Sequence, residues 1–400
     1  MITLNRPGSL QTLPPLSLYV HLPWCLKKCP YCDFNSHELS QAVASSAGGQ
    51  HLSTEVEGRY LDALRADLES VLPQVWGRRV YTVFIGGGTP SLFSPAGIDR
   101  LLADIRARLP LEADAEITLE ANPGTFEKDR FRAFREAGVN RLSIGVQSFD
   151  DAKLQTLGRV HSGDQARAAI AEAAACFDTF NIDLMYALPG QSLADLQHDL
   201  NTALSFRPPH LSLYHLTMEP NTRFATQPPA NLPDDDTAFD MLDHLVAATA
   251  QAGLHRYEVS AYARAGHQSR HNLNYWMFGD YIGIGAGAHG KLSHPDGRIV
   301  RTWKTRLPKD YLNPAKSYQA GEKLLALDEM PFEFLMNALR LTKGVDAALF
   351  QRRTGLTVDS LASARQQAEQ RGLLEADPAR LVATARGQLF LNDLLQYFLL

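Results

Sequence analysis

Between residues 16 and about 220, short apolar runs rich in β-formers alternate with segments whose apolar residues recur at helical spacing. LSLYVHL (16–22), RVYTVFI (79–85), AEITLE (115–120), NRLSIGV (140–146), TFNIDLMY (179–186) and PHLSLYHL (209–216) read as six strands. RYLDALRADLESVL, AGIDRLLADIRARL, KDRFRAFREAG and LADLQHDLNTALSF read as helices between them. Such repetition commits the chain to an α/β architecture, because parallel neighbours need long crossovers. Six strands fall short of the eight that close a TIM barrel, which predicts an open, partial (β/α)6 TIM-like barrel. Ligands in such folds collect at the C-terminal strand ends, where this chain concentrates its unusual residues.

The expected organisation is a core over residues 1–225, a barrel extension over 226–320 and a small domain over 321–400. The small, polar stretch SQAVASSAGGQHLSTEVEG (40–58) reads as a mobile loop. In the last domain, PFEFLMNALRL, VDAALFQRRTG, TVDSLASARQQAEQRGLLEAD and ARLVATARGQLFLNDLLQYFL predict three helices, two short strands and a helix. That order is winged-helix-like and mostly helical. Packing or partner contact is its expected role rather than DNA binding, since a net charge of −5 gives no global attraction to nucleic acid. The N-terminus lacks a basic segment followed by an apolar one, and no apolar run approaches a membrane span. A cytoplasmic protein is expected.

Of four cysteines, Cys25, Cys29 and Cys32 lie within eight residues at C-x3-C-x2-C spacing, directly after the first strand. An odd local group with one distant partner, Cys176 in an Ala-rich helix, suits a reduced protein better than a disulfide framework. Three neighbouring thiolates suit an iron–sulfur cube with one iron left to a ligand that is not protein. A zinc site completed by His21 or His37, or unligated thiols, are the alternatives. Further along, FIGGGTPS (84–91) frees backbone groups for a charged ligand. Glu120, Gln147 and Asp183 end or lie on later strands, and Arg159 follows the fourth. Each alone reads as a cap or turn residue; together they define one mouth.

The cysteine stretch, with the glycine loop behind it, resembles the radical-SAM superfamily. There, three cysteines at this spacing hold a [4Fe-4S] cluster and S-adenosylmethionine (SAM) chelates the fourth iron, giving a 5′-deoxyadenosyl radical when the cluster is reduced. Over residues 16–345 the order YVHLPWC, CPYCDF, GGGTPS, LEANPG, GVQSF and DLMYALPGQ is similar to one branch, which contains oxygen-independent coproporphyrinogen III oxidase and a sister family of heme chaperones. The resemblance implies SAM contacts at Tyr19, Gly87, Gly88, Thr89 and Glu120, with Tyr31 beside the cluster. It places Gln147, Arg159 and Asp183 where the oxidase surrounds a second SAM; a role toward the first SAM, or toward another ligand, stays open.

Phe34 stands where the oxidase carries a further cysteine that its activity needs, and only about fifteen residues precede the first strand, short of the oxidase's N-terminal extension. H-N-x-x-Y-W at 271–276 is the motif associated with the chaperone branch. It implies heme, with His271 as an iron ligand and Tyr275 and Trp276 as flat apolar faces. Read without the resemblance, the same residues make a hydrogen-bonded turn with two buried aromatics. His289, in the following GIGAGAHG, is a second imidazole, and that segment predicts close backbone packing rather than a nucleotide loop. The expected cofactors and cargo are therefore a [4Fe-4S] cluster, SAM and heme. The expected partners are heme-accepting proteins such as respiratory hemoproteins, with a heme donor and transient contact with membrane proteins compatible. The alternative is the oxidase, acting by radical decarboxylation; no catalytic residue is assigned.

Overall fold

The computed structural model describes residues 10, 12–40, 52–125 and 129–399. All six predicted runs are strands: β1 (Leu16–Leu22), β2 (Val80–Gly87), β3 (Leu111–Ala121), β4 (Arg141–Gln147), β5 (Phe180–Tyr186) and β6 (His210–His215). They pair in parallel and lie side by side in chain order. Helices α1 (Thr54–Val71), α2 (Pro95–Arg106), α3 (Arg130–Ala137), α4 (Gly163–Cys176) and α5 (Leu193–Ser205) make the crossovers, and α6 (Asp235–Gln251) follows β6. Local chemistry starts most of them. The side chains of Ser53, Ser94, Ser162, Ser192 and Asp234 each accept an N–H of the first turn, worth about 1 kcal/mol apiece. At Ser162 and Ser192 the bond is reciprocated by Gln165 and Asp195.

One sequence expectation changes in this region. Helix α1 begins at Thr54, so the end of the stretch read as a mobile loop is helical because Ser53 caps it; residues 41–51 of that stretch lie outside the described residues. The segment read as a barrel extension supplies both flanks of one sheet. At one edge, β8 (Ala261–Ala263) pairs antiparallel onto β6, and β7 (His255–Arg256) pairs onto β8. At the other, after the short helix α7 (Arg270–Trp276), β9 (Asp280–Ile284) pairs parallel to β1, and β10 (His289–Ser293), β11 (Ile299–Lys304) and β12 (Gln319–Leu324) continue antiparallel. The result is an open twelve-stranded sheet.

Apolar residues from both the strands and the crossover helices, such as Val20, Val83, Leu102 and Ile105, form the main core. A second core joins Phe278, just before β9, and Ile299, at the start of β11, to Phe334, Phe350 and Leu394, fixing the C-terminal domain to that side of the sheet. That domain starts with α8 (Met330–Ala338). One of its two paired strands, Val345–Asp346, precedes the second helix instead of following the third. Asp346 then caps that helix, which leaves its partner strand Arg380–Leu381 to return alongside.

Candidate functional site

The cysteine loop is tied down by backbone bonds. Trp24–Cys25 pairs with His37–Glu38, while Gly88 N–H donates to Leu22 O and Thr89 N–H to Trp24 O, so the glycine loop lies against it. The glycines are used by the protein itself. A Cβ at Gly88 would sit 2.5 Å from the Trp24 carbonyl oxygen, and one at Gly87, where φ is +119°, would meet the His21 ring at 2.8 Å.

Three elements reach the three thiols. Thr89 Oγ1 donates to Cys25 Sγ at 3.5 Å from the glycine loop, and Arg159 Nη1 to Cys29 Sγ at 3.8 Å from beyond β4. Ser36 Oγ lies 3.6 Å from Cys32 Sγ. Burial pushes the Cys25 thiol up to about 11 and also raises Cys32, so a nearby cation would be what favours their thiolate forms. Among the described residues no three His, Cys, Asp or Glu side chains converge as a single metal ion requires. A four-iron cluster makes no such demand, because its thiolates bind different irons. The donor set, with a guanidinium and two hydroxyls facing the sulfurs, fits a cluster. Tyr31 lies next to Cys29 and packs against Phe224.

Glu120, at the end of β3, accepts the Gly87 N–H at 3.1 Å. Burial, reinforced by the Asp183 carboxylate and opposed by that N–H, raises its pKa to about 8. Asp183 accepts from Asn181 Nδ2 at 2.7 Å and Ser143 Oγ at 3.2 Å, and burial raises its pKa as well. Arg159 donates to Gly145 O at 2.6 Å, while its buried Nε has no partner among the described residues. Gln147 takes a left-handed φ of +70° at the end of β4. Tyr19 OH donates to His21 Nδ1 at 2.9 Å, and His21 Nε2 donates to Asn35 O at the same distance. Burial lowers the His21 pKa to about 4, so the ring stays neutral.

A cavity of about 720 Å³ opens here. Tyr19, Gly87 and Glu120 line it together with Phe34, Tyr275 and Trp276. His271 does not. It is 1% exposed, with Nδ1 2.8 Å from Thr82 Oγ1 and Nε2 2.9 Å from Tyr275 OH. Because Thr82 itself donates to Ser17 Oγ, Nδ1–H donates to Thr82 and the Nε2 lone pair takes the Tyr275 proton. Against the expectation that His271 ligates heme iron, both of its ring nitrogens are hydrogen-bonded in this structure, and the ring stands behind Tyr275, outside the cavity lining. The i,i+4 spacing in α7 carried that signal.

Sequence reasoning missed Asn35, Arg301, Trp303 and Arg306, which also line the cavity. The predicted close packing of GIGAGAHG is present: a Cβ at Gly285 would lie 2.3 Å from His21 O, and Asn35 Nδ2 donates to Ala286 O at 2.9 Å.

Sheet, thiol loop and glycine loop together define a radical-SAM protein, and the Radical SAM superfamily model matches residues 19–203. The HemN C-terminal domain model matches residues 325–390. Heme chaperone HemW of Escherichia coli is 49% identical over 388 residues, covering 97% of this chain and 99% of that one. Heme chaperone HemW of Bacillus subtilis is 32% identical over 394 residues, 96% and 99% of the two chains. The solved coproporphyrinogen III oxidase (HemN) of Escherichia coli, a radical SAM enzyme, matches with a TM-score of 0.80 at 25% identity over 97% of this chain and 90% of its own. The chain belongs to the heme chaperone HemW family.

Proposed function

We propose that this protein takes up heme and hands it to acceptor hemoproteins, respiratory ones among them, in the cytoplasm. Cys25, Cys29 and Cys32 hold one [4Fe-4S] cluster in this reading, with Tyr31 beside it. Tyr19, Gly87, Gly88, Thr89 and Glu120 receive SAM, and Gln147, Arg159 and Asp183 order the polar floor. When bound, the cluster supplies an open iron for SAM and, when reduced, an electron. The protein's own residues orient and shield: Arg159 and Thr89 set the charge around the sulfurs, and the glycine loop fixes the distance to the ligand. Among the described residues no helix is long and apolar enough to cross a membrane, so a membrane-bound acceptor would be met from outside the bilayer.

One observation carries the reading. A single cavity is lined by the SAM-side residues and by the aromatic rings of Phe34, Tyr275 and Trp276, within the range of about 300–1,000 Å³ usual for ligand sites. Phe34, 63% exposed, offers a flat apolar face where a decarboxylase of this branch would carry a thiol. On one anaerobically reconstituted sample, hemin uptake, transfer to an apo-hemoprotein and coproporphyrinogen III turnover are measured together. Uptake and transfer without decarboxylation are expected. Efficient decarboxylation, or no uptake of hemin, overturns the reading.

A further inference from the structure

Two histidines, His21 and His289, line the cavity and a third, His271, stands behind its wall; they differ in exposure and in the state of the ring nitrogens. His21 donates through one and accepts through the other. His271 lies behind Tyr275 with both engaged. His289 begins β10 at the cavity lining, is exposed, and has no side-chain hydrogen bond among the described residues. Its cross-strand partner on β11 is Trp303, whose ring also lines the cavity. Directly opposite residues present their side chains on one face of a sheet, so the imidazole and the indole stand together.

Charge adds a second constraint. Lys291 is paired with Asp280 and Lys304 with Asp67, both pairs buried, while Arg301 is held by Glu333. Arg306 differs. It donates only through Nε, to Asn35 Oδ1 at 3.2 Å, and forms no ion pair among the described residues. A guest for this cavity must therefore be flat, to lie along Phe34, Tyr275, Trp276 and Trp303. It must also offer a site for an imidazole lone pair, and an anionic group for one unmatched guanidinium. Burial and the nearby cations of Arg301 and Arg306 lower the pKa of His289, which keeps its lone pair available.

We propose that heme seats in this cavity with the His289 imidazole on its iron and Arg306 on a propionate. The proposal rests on the heme-carrying reading above and adds to it the ligand, the carboxylate partner and the orientation. An exposed ligand at a strand start suits a cargo that must leave again, because release breaks one bond at the cavity mouth and disturbs no buried network.

The test titrates hemin into the full chain and follows the Soret band. His289→Ala should shift the band away from its imidazole-ligated position, and added imidazole should restore it; His271→Ala should keep that position. Arg306→Gln should weaken hemin but leave hemin dimethyl ester, whose carboxylates are blocked, bound as before. Because His289 and Arg306 are exposed, both variants are expected to fold, and imidazole rescue proves it for the first. An unshifted band in His289→Ala, or its loss in His271→Ala alone, overturns the ligand while leaving the chaperone reading intact. Failure of the unmodified protein to take up hemin brings down both.

Discussion

Glu120 links the proton balance of the fold to the cavity. Its folded pKa, raised by burial first and by Asp183 second, is about 8 against an ordinary value of 4.5. Between those two values the folded state holds a proton that the unfolded chain releases, so stability falls as pH rises across the interval. Glu120→Gln should flatten that fall, seen as urea midpoints that differ less below and above the window than those of the unmodified protein. The thiols give a sharper contrast. Serine at Cys25, Cys29 or Cys32 should abolish stable iron and sulfide loading. Cys176→Ser should leave it unchanged, because Cys176 ends α4 packed against the main core, away from the loop. The three neighbouring cysteines stood out because their spacing is local. His271 was legible only as part of a motif; its burial behind Tyr275 follows from α7 docking on Thr82 of β2, a contact across 189 residues that no local pattern announces.

At the scale of elements, the glycine loop and the buried ion pairs decide where the cavity walls stand. Gly88→Ala would drive a Cβ into the backbone of Pro23 and Trp24. Backbone gives way less readily than a side-chain tip, so a loss of about 1–3 kcal/mol is expected. Urea unfolding measures it, and iron loading should fall with it because the displaced segment leads into Cys25. Lys304 on β11 reaches Asp67 on α1 at 2.5 Å, and Asp67 also accepts from Tyr311 OH and Gly285 N–H. Asp67→Ala strands a buried ammonium and should cost about 3–5 kcal/mol. Replacing Asp67 and Lys304 together by apolar residues should cost less than that single change, a difference a double-mutant cycle reads directly. Neither partner announces the pair in the sequence, since an isolated Asp in an amphipathic helix reads as a solvated face.

Across the whole molecule, one continuous sheet lets the cysteine loop after β1 share a cavity with strands some 255–270 residues further on. Since that cavity also receives Met336 and Asn337 from α8, deleting the C-terminal domain from the chain should expose Phe278 and Ile299 of the shared core and lower hemin affinity along with stability, measured by Soret titration and thermal unfolding. The sequence by itself determined the parallel βα order, the cysteine loop and the polar groups at successive strand ends, because each depends on periodicity or spacing within one or two elements. Tertiary structure alone decided that residues 255–324 complete both edges of the sheet and that Arg306 has no ion pair among the described residues. It also decided that His289 faces the cavity while His271 does not. These outcomes depend on strand pairing and burial between segments far apart in the chain, and a side chain's access to a ligand is fixed by what packs over it, which no linear pattern records.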